Sequence, residues 1–229
     1  MAKVVSRDQA LEVAGRFATQ TDWSQLDGQK LQDEVINLSP EEFGRRFTAF
    51  LKAGARFIFG GLKVATAPFD LKRFLGENWA FWRGPKDGDG KHGEEERDRA
   101  SMALTEVDFE KVNFLTCLEE SESSIKGEEK LVRLRKLNCT LFGTTVFAGL
   151  WQDYQSCQNK ADSVLEKLYQ QKGITFISFF GDILRRPGGD RCVLYLYRYD
   201  DGSWCWDYSW LDNDWNDRLF TAVPQQVSS

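Results

Sequence analysis

The spacing of apolar residues changes most clearly near Gly173. Before it, in most segments, apolar positions recur every three or four residues, the period of a helix with one buried face. After it they alternate, the period of a strand. Residues 7–19, preceded by the cap Ser6, place Leu11, Ala14, Phe17 and Ala18 on one helical face. A second helix is predicted from about Gln25 to Ile36. The third has the clearest start: Ser39 caps, Pro40 suits the first turn and Glu42 completes a capping box. It carries Phe43, Phe47, Phe50 and Leu51 and stops at Gly54. These helices define an expected N-terminal subdomain, residues 1–54, ahead of a main domain, residues 55–229.

In the main domain, Gly60-Gly61 between the apolar runs 55–59 and 62–66 predicts a hairpin. Asp70–Leu75 reads as a short helix, Trp79–Trp82 as a strand, Val107–Phe114 as a strand or short helix, and Glu119–Ser124 as an acidic loop. Glu128–Leu137 is a predicted helix with Leu131, Leu134 and Leu137 inward and a solvated basic face of Lys130, Arg133 and Arg135. Two more are predicted at Thr144–Tyr154 and Asp162–Gln170, the latter capped by Asp162. Strands follow at Ile174–Phe180, Arg191–Tyr199 and Ser203–Trp210, the last pair joined by the turn Asp200-Asp201-Gly202. Helices followed by consecutive strands give an α+β class ending in an antiparallel meander.

Four of the eight tryptophans lie in the last strand and just beyond it, at Trp204, Trp206, Trp210 and Trp215. Residues two apart on a strand share a face, so Trp204 and Trp206 point one way while Ser203, Cys205 and Asp207 point the other. The pattern describes a tryptophan-anchored frame that turns short polar side chains outward. An ordinary hairpin with an aromatic core face has the same local pattern.

Composition excludes several functions. A formal net charge of −5 and a sequence pI near 5.1 argue against a dedicated nucleic-acid binder. Five cysteines without metal-like spacing read as free thiols in a reducing compartment. With no secretory signal and no long apolar run, a cytoplasmic location without a membrane span is expected. The single histidine, His92, lies in the Gly- and acid-rich stretch 84–96 and is expected to be solvated, so a histidine-based triad or zinc site is not expected. Asp87 and Asp89 in that stretch miss the spacing of an EF-hand, and a solvated, flexible loop is expected rather than a calcium site. No catalytic residues, cofactor or metal are expected.

From Ile174 to Pro224, 51 residues, there is no Lys, Glu, Gln or Met, although the first 173 residues hold 42 of these four types. Apart from the tryptophans, every residue from Ser203 to Ala222 is a type encoded by a codon ending in C. Randomising the first two bases of AAC codons would leave this set, with adenine-free tryptophan codons untouched. The pattern resembles the variable region of the target proteins of diversity-generating retroelements. Further segments carry the same resemblance: Trp82-Arg-Gly-Pro-Lys-Asp-Gly-Asp-Gly, Glu122-Ser-Ser-Ile-Lys-Gly-Glu-Glu-Lys-Leu, Phe179-Phe-Gly-Asp-Ile-Leu-Arg-Arg-Pro, and Val193-Leu-Tyr-Leu-Tyr ahead of the tryptophan repeat.

The resemblance implies a C-type-lectin-like main domain in a non-enzymatic, receptor-like protein, with a variable face binding a protein or surface ligand. The implied ligand-binding residues are Ser203, Cys205, Asp207, Tyr208, Ser209, Asp212, Asn213, Asp214, Asn216, Asp217, Arg218, Leu219 and Phe220, with Trp204, Trp206, Trp210 and Trp215 as scaffold. Rigid aromatics and short adaptable polar groups are what paratopes use. Two other readings stand beside it: an interaction module acting through its N-terminal helices, and a carbohydrate binder using Asp207, Asp212, Asp214 and Asp217. The oligomeric state is left open.

Overall fold

The computed structural model describes residues 28–32, 36–52 and 62–225, and the chain divides into two compact units, Met1–Gly60 and Gly61–Ser229. The helix expected at 7–19, residues 25–27 and 33–35 of the next, and the run at 55–59 lie outside the described residues. In the first unit, α1 (Gly28–Leu31) and α2 (Pro40–Lys52) are described. Ser39 caps α2, its hydroxyl accepting from the Glu42 amide at 3.2 Å. The reciprocal half of the expected capping box is absent, because the Glu42 carboxylate accepts from Arg45 and Arg46 at 2.9 and 2.6 Å instead. Charge-assisted bonds one turn ahead are the stronger option.

The second unit is built on a mixed sheet. Its elements in order are β1 (Lys63–Ala65), α3 (Leu71–Leu75), β2 (Ala80–Phe81), α4 (Arg99–Met102), β3 (Glu106–Asp108), β4 (Val112–Leu115), β5 (Ser124–Lys126), α5 (Gly127–Lys136), α6 (Thr144–Ser156), α7 (Val164–Lys172), β6 (Phe176–Arg185), β7 (Arg191–Arg198), β8 (Trp204–Trp210), β9 (Asp214–Asn216) and β10 (Thr221–Pro224). The sheet runs β4-β10-β6-β7-β8, with β2 paired to the far end of β6. β1 pairs with β3, and β5 with β9, in two small ladders. The class is α+β, and no closed barrel forms among the described residues.

β6, β7 and β8 form the antiparallel meander that the alternation predicts. The chain end does something the alternation does not predict. β10 inserts inside the sheet, parallel to β6 through Thr221↔Ser178 and antiparallel to β4. Thr221, Ala222 and Val223 are all buried there. Residues 211–220 therefore travel from the edge strand β8, across β7 and β6, to reach β10. That crossing puts the polar stretch on a sheet face.

The two faces carry separate cores. On one, Ile177, Phe179, Leu194, Leu196 and Trp204 pack with Phe147 and Leu150 of α6 and Leu165 and Leu168 of α7. On the other, Phe180, Val193, Leu211, Trp215 and Val223 pack with Leu131 and Leu134 of α5. A bulge between Phe179 and Leu184 of β6 bends the strand between them. There the buried Asp182 carboxylate accepts from the Thr144 amide and hydroxyl, at 2.7 and 2.6 Å, and from Arg97 Nε at 3.0 Å.

α7 starts at Val164, two residues later than predicted. Ser163 is its cap, the hydroxyl accepting from the Glu166 amide at 3.2 Å, while Asp162 sits in a preceding 3-10 turn. Both residue types cap well; a serine hydroxyl is short enough to fit the fully buried site at 163. Ser163→Ala is therefore expected to lower unfolding free energy by about 1 kcal/mol in urea, and Asp162→Ala to change it by less than about 0.5 kcal/mol.

Candidate ligand-binding surface

β8 is an edge strand, and its side chains alternate as the sequence indicates. Trp204 is buried on the α6–α7 side, where its indole nitrogen donates to Glu166 Oε2 at 3.3 Å. Trp206 packs between Phe74 and Phe147, at ring-centroid distances of 4.4 and 6.3 Å. Tyr208 follows the same parity and lies against Trp79 at 4.8 Å. Cys205, Asp207 and Ser209 point to the opposite face, in register with Tyr197, Tyr195 and Val193 of β7.

On that face β7 contributes a run of tyrosines. Phe176 stacks on Tyr195 at 4.6 Å, Tyr195 meets Tyr197 at 5.6 Å, and Tyr197 meets Tyr199 at 4.7 Å with their hydroxyls hydrogen-bonded. Trp215 closes the inner end of the row against Phe176. Burial and the nearby Asp207 carboxylate push the Tyr195 phenol up to about 12, and the hydroxyl contact with Tyr199 raises Tyr197 further. These phenols stay neutral donors throughout the physiological range.

The crossing segment is held through its backbone. The Gly127 and Glu128 amides at the start of α5 donate to the carbonyls of Asn213 and Leu211 at 3.1 and 2.9 Å. β9 pairs with β5 through Ser124↔Asn216, Ile125↔Trp215 and Lys126↔Asp214. The Leu211 amide donates to the Arg191 carbonyl, and the Ser178 amide and hydroxyl both donate to the Phe220 carbonyl at 2.9 Å. From Cys205 to Arg218, one side chain among the described residues makes an ion pair or hydrogen bond outside 203–222. It is Asp214, on the exposed Lys126 at 3.0 Å. The other side-chain bonds among these residues are local, such as Asn213 Nδ2 to Ser209 Oγ at 3.2 Å and Arg218 N to Asn216 Oδ1 at 3.0 Å.

One anchor is unexpected. Lys130, assigned to a solvated face of α5, is fully buried. The crossing segment lies over it: its ammonium donates to the Leu219 carbonyl and sits 4.9 Å from the Trp215 ring and 5.7 Å from that of Phe180. Burial lowers its pKa from 10.5 to about 8, with Cys117 acting weakly the other way. The folded state thus gives up the proton before the unfolded state does. Stability carries the cost of a buried charge below about pH 8 and regains it as pH rises towards 10.5. Relative to Lys130→Met, the wild type is expected to gain up to about 3 kcal/mol between pH 7.5 and 10, read from denaturant midpoints. A constant difference would contradict this.

The structure brings together Cys205, Asp207, Ser209 and Asn213 beside the tyrosine row, and leaves Asp212, Asp214, Asn216, Asp217 and Arg218 exposed on the crossing segment. Ser203 is half-buried in the β7–β8 turn, its amide and hydroxyl both bonded to Asp201. Tyr208 lies on the tryptophan side, and Leu219 and Phe220 are half-buried against the two cores. Trp210, grouped with the scaffold, is 37% exposed. It lies at the strand end, where it meets Tyr208 and the Arg186 guanidinium rather than the core.

The stretch 84–96 is more organised than the flexible loop expected. It wraps Trp82, whose indole donates to the Pro85 carbonyl at 3.1 Å, and Gly90, at φ +71, lies against the ring where an added Cβ would come within 2.5 Å. His92 is exposed, as expected. Among the described residues no group of three or more His, Cys, Asp or Glu side chains is arranged to hold a metal, and no helix is long and apolar enough to cross a membrane. All five cysteines are unpaired. No family model, curated protein or solved structure matches this chain.

Proposed function

We propose that this protein is a non-enzymatic, receptor-like binding protein whose 203–222 surface is diversified by retroelement mutagenesis on a C-type-lectin-like domain. The observation that carries the reading is how the segment is held. Its path depends on main-chain bonds to α5, β5, β6 and β7 and on Trp204, Trp206, Leu211 and Trp215, while Asp207, Asp212, Asn213, Asp214, Asn216, Asp217 and Arg218 are exposed. A face held this way accepts new side chains without losing its course, which a diversified binding surface requires. Tryptophans fix the frame, and mutagenesis directed at adenines leaves their codons unchanged.

The test is the gene and its flanks. The reading expects C-ending codons between Trp204 and Trp215, a nearby near-copy differing only where it carries adenine, and an adjacent reverse-transcriptase gene. Mixed codon endings with no near-copy would reject diversification and leave an aromatic hairpin with a polar face.

A further inference from the structure

Resting on that reading, the structure identifies the chemistry of the partner. From Tyr199 to Asp217 the chain carries six aspartates, Asp200, Asp201, Asp207, Asp212, Asp214 and Asp217, all exposed, and no Lys or Arg. Of the basic side chains bordering it, Arg198 bonds to Glu166 at 2.9 and 3.0 Å on the opposite face, Arg191 is buried between Glu96 and Glu128, Lys126 pairs with Asp214 at 3.0 Å, and Arg218 lies exposed just past Asp217. Asp207 stands in the outward row of the edge strand β8, directly opposite Tyr195 of β7. The segment bearing Asp212, Asp214 and Asp217 is anchored to the same face by Trp215 on Phe176.

The face thus combines an aromatic row, Tyr195, Tyr197 and Tyr199, with an acidic border. Lysine and arginine side chains fit such a surface twice over, stacking their stems or guanidinium planes on the rings and placing their charge on the carboxylates. Anionic ligands are repelled by the aspartates. We propose that the diversified face of this chain binds a lysine- and arginine-rich segment of a partner protein, laid along the tyrosine row with Asp207 as its central counter-ion.

The test is fluorescence anisotropy with two labelled peptides, (Gly-Arg)6 and (Gly-Glu)6, on the whole chain. Saturable binding of the arginine peptide alone is expected, weakening about tenfold or more between 50 and 500 mM salt as charges are screened. Asp207→Asn and Tyr199→Ser should each weaken it at least about threefold with unchanged melting temperature, since both sites are exposed. Asp162→Asn and Glu110→Gln, acids beside the opposite core, should not. Equal binding of both peptides, equal loss in the control variants, or a dimer in sedimentation that buries this face would overturn the proposal. None of these results would touch the codon pattern or the near-copy, so the diversification reading is judged separately.

Discussion

Trp215→Ala is expected to lower unfolding free energy by about 3–5 kcal/mol, the range for truncating a large buried aromatic. Trp215 is fully buried where the crossing segment meets the sheet, 5.0 Å from Phe180 and 6.0 Å from Phe176, beneath the Lys130 ammonium. Losing it leaves a cavity and removes the ring that faces the buried charge. Its indole nitrogen is the one buried side-chain polar atom without a partner among the described residues. Trp215→Phe should cost less than the alanine change by about 1–3 kcal/mol, because its ring fills much of the cavity, while both changes remove the unsatisfied donor. Gly127→Ala probes the same packing from the other side. An added Cβ would fall 2.5 Å from that indole nitrogen and 2.9 Å from the Leu211 backbone, so the ring or the segment must shift. Limited proteolysis should show cleavage within 211–220 in Trp215→Ala at protease levels that leave the wild type intact. Destabilisation of less than about 1 kcal/mol would mean the segment is held elsewhere.

Arg191→Met is the second large effect, also about 3–5 kcal/mol, the cost of removing one partner from a buried ionic cluster. The Arg191 guanidinium is buried over the Trp82 ring at 4.8 Å, donates to Glu128 Oε1 at 2.7 Å and to Glu96 Oε1 at 3.0 Å, and its carbonyl holds the Leu211 amide. Burial alone would raise the Glu96 carboxyl; bonds from Arg191 and Arg135 more than offset it and hold the group below its ordinary 4.5. A carboxyl lowered on folding stabilises the protein above the unfolded value and loses that contribution as pH falls through the folded value. The gap between wild type and Arg191→Met should therefore be full near neutrality and narrow below about pH 4.5. Adding Glu96→Gln and Glu128→Gln to Arg191→Met should recover part of the loss. A pH-independent gap would mean that Arg191 acts through its contact with Trp82 alone.

The parts of the molecule read most directly from sequence are those with a long local pattern. Eight residues of alternation in β7 fix which side chains meet the helices, and the same parity separates Trp204 and Trp206 from Cys205 and Asp207. That parity also places Tyr208 with the tryptophans, so grouping it with Asp207 as an outward residue ran against the strand's own period. The alternation in β7 puts Tyr195, Tyr197 and Tyr199 on one face; that this face stays partly open depends on how far α5 and the crossing segment reach. β9 and β10 are three and four residues long and β10 ends in Pro224, which leaves no periodic signal to read. Lys130 looks like its neighbours Arg133 and Arg135 in sequence. Its burial exists only because β10 inserts inside the sheet and pulls residues 211–220 across α5. Local pattern gave the elements; the chain crossing decided which of their residues are covered.

The most direct test of the central claim, that 203–222 is a substitutable face on a fixed frame, is a sorted library. Cys205, Asp207, Ser209, Asp212, Asn213, Asp214, Asn216, Asp217 and Arg218 are randomised together in one pool, and Trp204, Trp206, Trp215 and Ala222 in another, with protease resistance as the measure of folding. The account predicts that most members of the first pool survive at the wild-type threshold and that few of the second do, since only the second removes buried contacts. Equal survival of the two pools, or collapse of the first, would contradict it.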